Sequence, residues 1–313
     1  MISFLVTGAA GDIGYNICRI LREQYSHAKI ICTDITGDVP YQNISASFSL
    51  LPRANDENYI RELSALIERH NVQHFIPTSE PELRFLTEIE DFLPEIISSK
   101  IIWASRSVRL LGFDKLATSN FLRDYGFAHL AADLDSDGLP KVYPCIYKSR
   151  FGAGSDAVFR VVNSSEAKLY QELYPNYIWQ TYATSKYGEF TACLFSDGFR
   201  IRSLILQRTL SGGVSRTARV VSNSDYAEYI EDIGKKLEFV GSINVQFRIV
   251  DKIPHIFEIN PRFSSTVKMR DIIGFKDLIW SIESKDGRMI SPYILNSNIH
   301  EKTLYRLNNE YIQ

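Results

Sequence analysis

Gly241-Ser-Ile-Asn-Val-Gln-Phe-Arg-Ile-Val-Asp-Lys-Ile-Pro-His-Ile-Phe-Glu-Ile-Asn-Pro-Arg262 decides how the chain is read. Two runs rich in β-branched and aromatic residues flank a polar break, which predicts two β-strands joined by a tight turn at Asp251–Pro254. Side chains alternate between the faces of a strand, so Glu258 and Asn260 share one face and Arg262 continues it. Gln246 points from the paired strand, while Phe257, Ile259 and Phe263 make the opposite face apolar. One carboxylate and two amide oxygens suit Mg²⁺, a hard cation that completes its shell with water and phosphate oxygens. A guanidinium beside them suits a phosphoryl group, because its planar fork is always charged.

Upstream, Lys148-Ser-Arg-Phe-Gly-Ala-Gly-Ser155 follows a predicted strand at Cys145–Lys148 and leads into another at Ala157–Val162. Glycines such as Gly152 and Gly154 let backbone N–H groups approach a phosphate closely, and the turn can form an anion-binding nest. Lys148 sets a positive charge there. No Gly-Lys-Ser/Thr closes the segment, so it is not a Walker loop.

The order Gln246…Glu258-x-Asn260-Pro-Arg262, with that loop ahead of it, resembles the magnesium motif of the ATP-grasp superfamily. The resemblance is nearest to the synthetase domains of the carbamoyl-phosphate synthase large subunit, in a stand-alone short form. It covers roughly residues 100–270 and, more loosely, the N-terminal third. It implies metal ligation by Gln246, Glu258 and Asn260, and catalytic roles for Arg262 and Lys148. It further implies that Lys115 and Lys148 reach the nucleotide phosphates and that Gly152, Gly154 and Ser155 close over them. Gln180 and Tyr182 fall in the linker where backbone groups read adenine, and Glu189 matches the acid that binds ribose hydroxyls. The implied cofactors are ATP and Mg²⁺, with Mn²⁺ as a substitute and two metal ions in the site. The implied reaction is ADP-forming ligation of a small carboxylate, a metabolite or sugar acid, to an amine or ammonia through an acyl phosphate. The pattern departs at Ser265, where the synthetase domains carry a second arginine; this argues against bicarbonate as substrate. Arg208, Arg216 and Arg219, around the Gly212-Gly213 turn, are alternative partners for the acceptor's charge.

Composition sets the frame. At 313 residues, 45% hydrophobic and 23% charged, the chain can bury a large core in two or three lobes. A net charge of −2 favours neither nucleic acid nor an anionic membrane. No apolar run approaches the ~18 residues of a membrane span, and the N-terminus lacks the basic region of a signal peptide. Four scattered cysteines within apolar segments predict buried free thiols and a reducing cytoplasm. Residues 263–313 are too few for an added glutaminase or allosteric domain, and a homodimer remains open.

Along residues 1–104, strands at 2–7, 29–33, 74–77 and 101–104 alternate with helical spacing at 13–23, 57–69 and 80–92. This predicts an α/β, Rossmann-like parallel-sheet domain, the pre-ATP-grasp domain under the resemblance. An α+β region follows, with a helix at Asp114–Tyr125 stopped by Gly126 and several antiparallel strands. Under the resemblance it divides into a small lid lobe at 105–181 and a large lobe at 182–313 that carries the magnesium motif, together a two-lobed ATP-grasp domain.

Two other readings compete. Gly8-x-x-Gly11-x-x-Gly14 with Asp34 downstream matches a dinucleotide fingerprint, and Tyr182-Ala-Thr-Ser-Lys186 matches the Tyr-x-x-x-Lys pair of short-chain dehydrogenases and epimerases. That pair needs a helix, and Tyr182 stands between two predicted strands. A non-catalytic ATP-binding module is the other alternative, disfavoured by the intact Glu258, Asn260 and Arg262.

Overall fold

The computed structural model describes residues 2–37, 47–152, 158–184, 186–296 and 302–306. The first part of the chain runs β1 (Ser3–Thr7), α1 (Asp12–Gln24), β2 (Lys29–Asp34), β3 (Ser47–Leu50), α2 (Tyr59–Arg69), β4 (His74–Ile76), α3 (Glu80–Glu88) and α4 (Glu95–Ser98). Its strands form a four-stranded parallel sheet in the order β3-β2-β1-β4. Every residue of β1 is buried, as expected of a strand covered on both faces. One face packs Leu5, Ile31 and Phe75 against Tyr59, Leu63 and Leu86 of the helices. The strand expected at Ile101–Ala104 shrinks to a single bridge between Phe75 and Ile101. Beyond it the Ala104 carbonyl accepts from Arg109 Nε at 2.8 Å.

The chain continues through α5 (Arg106–Gly112), α6 (Lys115–Asp124), β5 (Cys145–Ser149), β6 (Val158–Val161), α7 (Ser164–Leu173) and β7 (Tyr177–Thr181). The three strands form an antiparallel sheet, β6-β5-β7, whose core joins Cys145, Tyr147 and Val161 to Ala167 of α7. Next come β8 (Glu189–Asp197), β9 (Ile201–Ser211), β10 (Val214–Val220), α8 (Ser224–Leu237), β11 (Val240–Val250), β12 (Ile253–Asn260), α9 (Val267–Ile272), α10 (Asp277–Lys285) and β13 (Thr303–Tyr305). They build a six-stranded antiparallel sheet, β12-β11-β8-β9-β10-β13.

Helices α9 and α10 carry two apolar faces and are used twice. Val267, Leu278 and Ile282 pack on the parallel sheet beside Phe4, Val6 and Ile17. Met269, Ile273 and Trp280 pack on the antiparallel sheet beside Cys193, Phe195 and Leu204. A helical layer thus packs against both sheets at once. All four cysteines are buried and none forms a disulfide.

Candidate functional site

The β11–β12 hairpin turns on two residues, Asp251 (φ 48°) and Lys252 (φ 68°). Left-handed backbone at both positions matches the twist of the flanking strands. The pairing runs Asn244–Asn260, Val245–Ile259 and Gln246–Glu258, then shifts so that Phe247 faces Ile256. Phe257 is therefore the extra residue of a β-bulge. This corrects the expected alternation: Ile256 and Ile259 both enter the core, while Phe257 joins Glu258 on the cleft side. The bulge also puts the Phe257 carbonyl to use. It accepts from Lys148 Nζ at 3.2 Å and from Gln180 Nε2 at 3.1 Å, so β5 and β7 are tied to the hairpin at one atom. The Gln180 side chain, expected to contribute only backbone, is part of the scaffold.

Asp114 caps α6 by accepting from Leu116 N and Ala117 N. It also takes a bidentate pair from Arg150, at 2.8 Å from Nε and 2.5 Å from Nη2. Burial pushes the Asp114 carboxyl up, but Arg150 and the two backbone N–H groups outweigh it and hold it below its usual range. The next residue, Lys115, donates to the Gly152 carbonyl at 2.6 Å and lies 3.8 Å from Glu258 Oε1. The root of the glycine-rich segment is thus fastened to α6. Gly152 has φ +94°, a conformation that favours glycine, although nothing stands near an added Cβ. Gly154 and Ser155 lie outside the described residues.

Gln246, Glu258, Asn260, Arg262, Lys115, Lys148, Gly152, Gln180, Tyr182 and Glu189 all line one cleft of about 1550 Å³. Gln246 and Asn260 line the cleft, and among the described residues neither side-chain amide makes a hydrogen bond. Among the described residues no group of three His, Cys, Asp or Glu could hold a metal. A cation here would rely on one carboxylate, two amides and oxygens from water or ligand, a donor set that fits Mg²⁺ and not a soft metal. Burial pulls Lys148 down to about 8, with Glu258 and Glu189 pulling it back up and Lys115 pushing it lower.

Other placements differ from expectation. Glu189 has its two oxygens bound by Arg208 Nη2 (2.7 Å) and Arg248 Nη2 (3.4 Å), so a ribose hydroxyl would share a carboxylate already held in place. Arg208 lines the cleft and reaches Ser215 Oγ at 3.2 Å, which in turn meets Ser265 Oγ at 3.2 Å. Arg216 and Arg219 are exposed and line no part of the cleft. Glu80, which sequence reasoning passed over, lies 3.6 Å from Arg262 Nε across the cleft. Burial raises its carboxyl, with Arg262 and Lys115 holding it down.

The dehydrogenase features do not assemble. Tyr182 follows β7 in irregular backbone, and neither it nor Lys186 lies on a helix. Asp34 accepts from Ala10 N at 2.8 Å and Ile35 N at 2.7 Å, closing the glycine turn on itself. Gly14 is required by packing: a Cβ there would stand 2.3 Å from the Gly8 carbonyl oxygen.

Comparisons with known proteins bear on the fold. Residues 192–299 match the family described as ATP-grasp in the biosynthetic pathway with Ter operon, and residues 5–96 match the PylC-like N-terminal domain. No curated protein matches the chain. Among solved structures, the biotin carboxylase–β,γ-ATP complex of Campylobacter jejuni is 15% identical, covering 93% of this chain and 72% of that one with a TM-score of 0.71. The N5-carboxyaminoimidazole synthetase of Staphylococcus aureus, complexed with ADP, is 16% identical over 93% and 78%, with a TM-score of 0.70. The biotin carboxylase domain of Hydrogenobacter thermophilus 2-oxoglutarate carboxylase, with MgADP, ADP and bicarbonate, is 13% identical over 92% and 70%, also at 0.70. At these identities the likeness is one of fold. No helix among the described residues is long and apolar enough to cross a membrane. In its first third the chain is thus similar to the PylC-like N-terminal domain, and in residues 192–299 to an ATP-grasp family.

Proposed function

We propose that the cleft binds ATP with Mg²⁺ and joins a small carboxylate to an amine or ammonia, forming ADP and phosphate. The observation that carries this reading is convergence. Lys115 of α6, Lys148 of β5, Gln246 of β11, Glu258 and Asn260 of β12, and Arg262 beyond it come from distant parts of the chain and line one cleft. An amine does not displace oxygen from a carboxylate anion, because the carbon is electron-rich and the leaving group poor. Phosphorylating the carboxylate cures both: the nitrogen then attacks the acyl carbon, the C–O bond to phosphate breaks, and inorganic phosphate and a proton leave. Such chemistry asks a protein mainly to hold anions together and neutralise charge. In this reading Lys115 and Lys148 hold the nucleotide phosphates and Arg262 stabilises the transferring phosphoryl group. Gln246, Glu258 and Asn260 would hold the metal, which when bound neutralises phosphate charge. Arg208, rather than Arg216 or Arg219, suits the acceptor carboxylate, and the small Ser265 leaves room for one larger than bicarbonate.

Thermal melting tests the nucleotide. At a hundred times its Kd, Mg-ATP stabilises the folded state by about 2.7 kcal/mol and raises the melting temperature. NADPH at the same concentration leaves it unchanged. A shift with NADPH and none with Mg-ATP overturns the reading.

Lys148 adds a pH signature. Its pKa near 8 means it is charged below that pH and neutral above it. A phosphate prefers the charged form, so Mg-ATP affinity in the wild type weakens above pH 8, approaching about tenfold per pH unit. Lys148→Arg, whose guanidinium stays charged, flattens that profile. Calorimetric titrations between pH 7 and 9.5 read both, and identical slopes would remove Lys148 from the phosphates.

A further inference from the structure

The N-terminal end of the cleft holds polar groups that the ligase reading leaves unused. Thr7 and Thr33 stand side by side on β1 and β2. They share the sheet face of Leu5 and Ile31, which packs against α2 and α3. Thr7 Oγ1 donates to Glu82 Oε2 at 2.6 Å, and the Tyr59 hydroxyl donates to Glu82 Oε1 at 2.6 Å. The Thr78 backbone supplies a third hydrogen bond, which leaves the carboxylate one spare lone pair. The Thr33 hydroxyl, fully buried, has no hydrogen-bond partner among the described residues. Native proteins seldom leave such a group unpaired. All four residues line the cleft, with Leu51 and Phe85 as an apolar wall.

We propose that this pocket is a specificity subsite for a substrate's primary ammonium head, with Glu82 and the Thr33 hydroxyl as its acceptors and Leu51 and Phe85 along its apolar stem. This rests on the ligase reading for the statement that the ligand is a substrate. An ammonium brings three donors and no acceptor, which matches a pocket of spare lone pairs. A carboxylate or phosphate head would meet the Glu82 charge with no cation among the six residues. Burial raises the Glu82 carboxyl to about 7, with Asp34 adding to the rise and Thr7, Tyr59 and the Thr78 backbone opposing it. A bound cation favours the ionised form. The head is held away from the reaction, since α3 begins at Glu80 beside Arg262 and carries Glu82 deeper into the N-terminal domain.

The probes are n-butylammonium chloride, n-butanol and sodium butyrate, titrated into the Mg-ATP-bound protein and followed by saturation-transfer NMR. Butylammonium binds, and the other two bind at least about tenfold more weakly, the value of one hydrogen bond to a charged group. Glu82→Gln and Thr33→Val each weaken butylammonium by a similar factor and leave Mg-ATP binding as it was. Thr33→Val also holds or raises the melting temperature, because it removes an orphan hydroxyl at nearly constant shape; this arm decides the matter if Glu82→Gln fails to fold. Equal binding of butanol, or wild-type butylammonium affinity in Thr33→Val, overturns the subsite. Butylammonium binding through Glu82 in a protein that ignores Mg-ATP would overturn the ligase reading and leave the subsite standing.

Discussion

Glu258→Gln lowers the rate of ADP formation by at least about a hundredfold, the scale of losing a major electrostatic contribution to a transition state. The change is nearly isosteric and the side chain is part-exposed, so the fold is kept. What is lost is the only carboxylate among the three candidate oxygen ligands, and with it most of the attraction for a hard divalent cation. Two neighbours feel the loss as well. Lys115, 3.8 Å away, loses its anionic partner, and Lys148 loses the group that most raises its pKa. The variant therefore needs more Mg²⁺ for half-maximal rate as well as turning over slowly. Coupled-enzyme measurement of ADP across a Mg²⁺ titration reads both, and an unchanged rate would place the metal elsewhere.

Asp277→Ala destabilises the protein by about 3–5 kcal/mol, the cost of leaving one member of a buried ion pair without its partner. Asp277 and Arg270 have side-chain exposures of 1% and 0%. Arg270 reaches both Asp277 oxygens, from Nε at 2.8 Å and Nη2 at 2.6 Å, and Ser242 also donates to Asp277. Burial opposes the Arg270 charge, but Asp277 outweighs it and raises the guanidinium's pKa. The same guanidinium donates to Ser264 Oγ at 2.7 Å and Thr266 Oγ1 at 3.2 Å, bracing the segment that follows Arg262. Urea denaturation shows the loss as a lower midpoint at unchanged slope. Removing both charges together, as Arg270→Met with Asp277→Leu, recovers much of it. A single-variant loss below about 1 kcal/mol would mean that the buried charge finds another partner.

Local pattern made the hairpin legible. Alternation located Glu258, Asn260 and Gln246, and a polar break located the turn. Asp114 announced a helix start, and Gly126 its end, through chemistry confined to a few neighbouring residues. The bulge at Phe257 was not legible, because it is a property of two strands in register and not of one sequence. The choice of Arg208 over Arg216 and Arg219 depended on which face of the sheet meets the cleft. Glu82 was hidden for the same reason: its partner Thr7 is 75 positions away. The strand expected at Ile101–Ala104 had the right residues but only Phe75 to pair with.

The sequence by itself determined the parallel-sheet start, the antiparallel remainder and the residue types that suit a metal and phosphates. These follow from periodicity, turn chemistry and side-chain charge, which act over short range. Tertiary structure alone decided that α9 and α10 lie between the two sheets, that Lys148 and Gln180 meet at the Phe257 carbonyl, and that Glu80 faces Arg262. Those contacts join residues far apart in the chain, and only the packing of one buried surface on another brings them together.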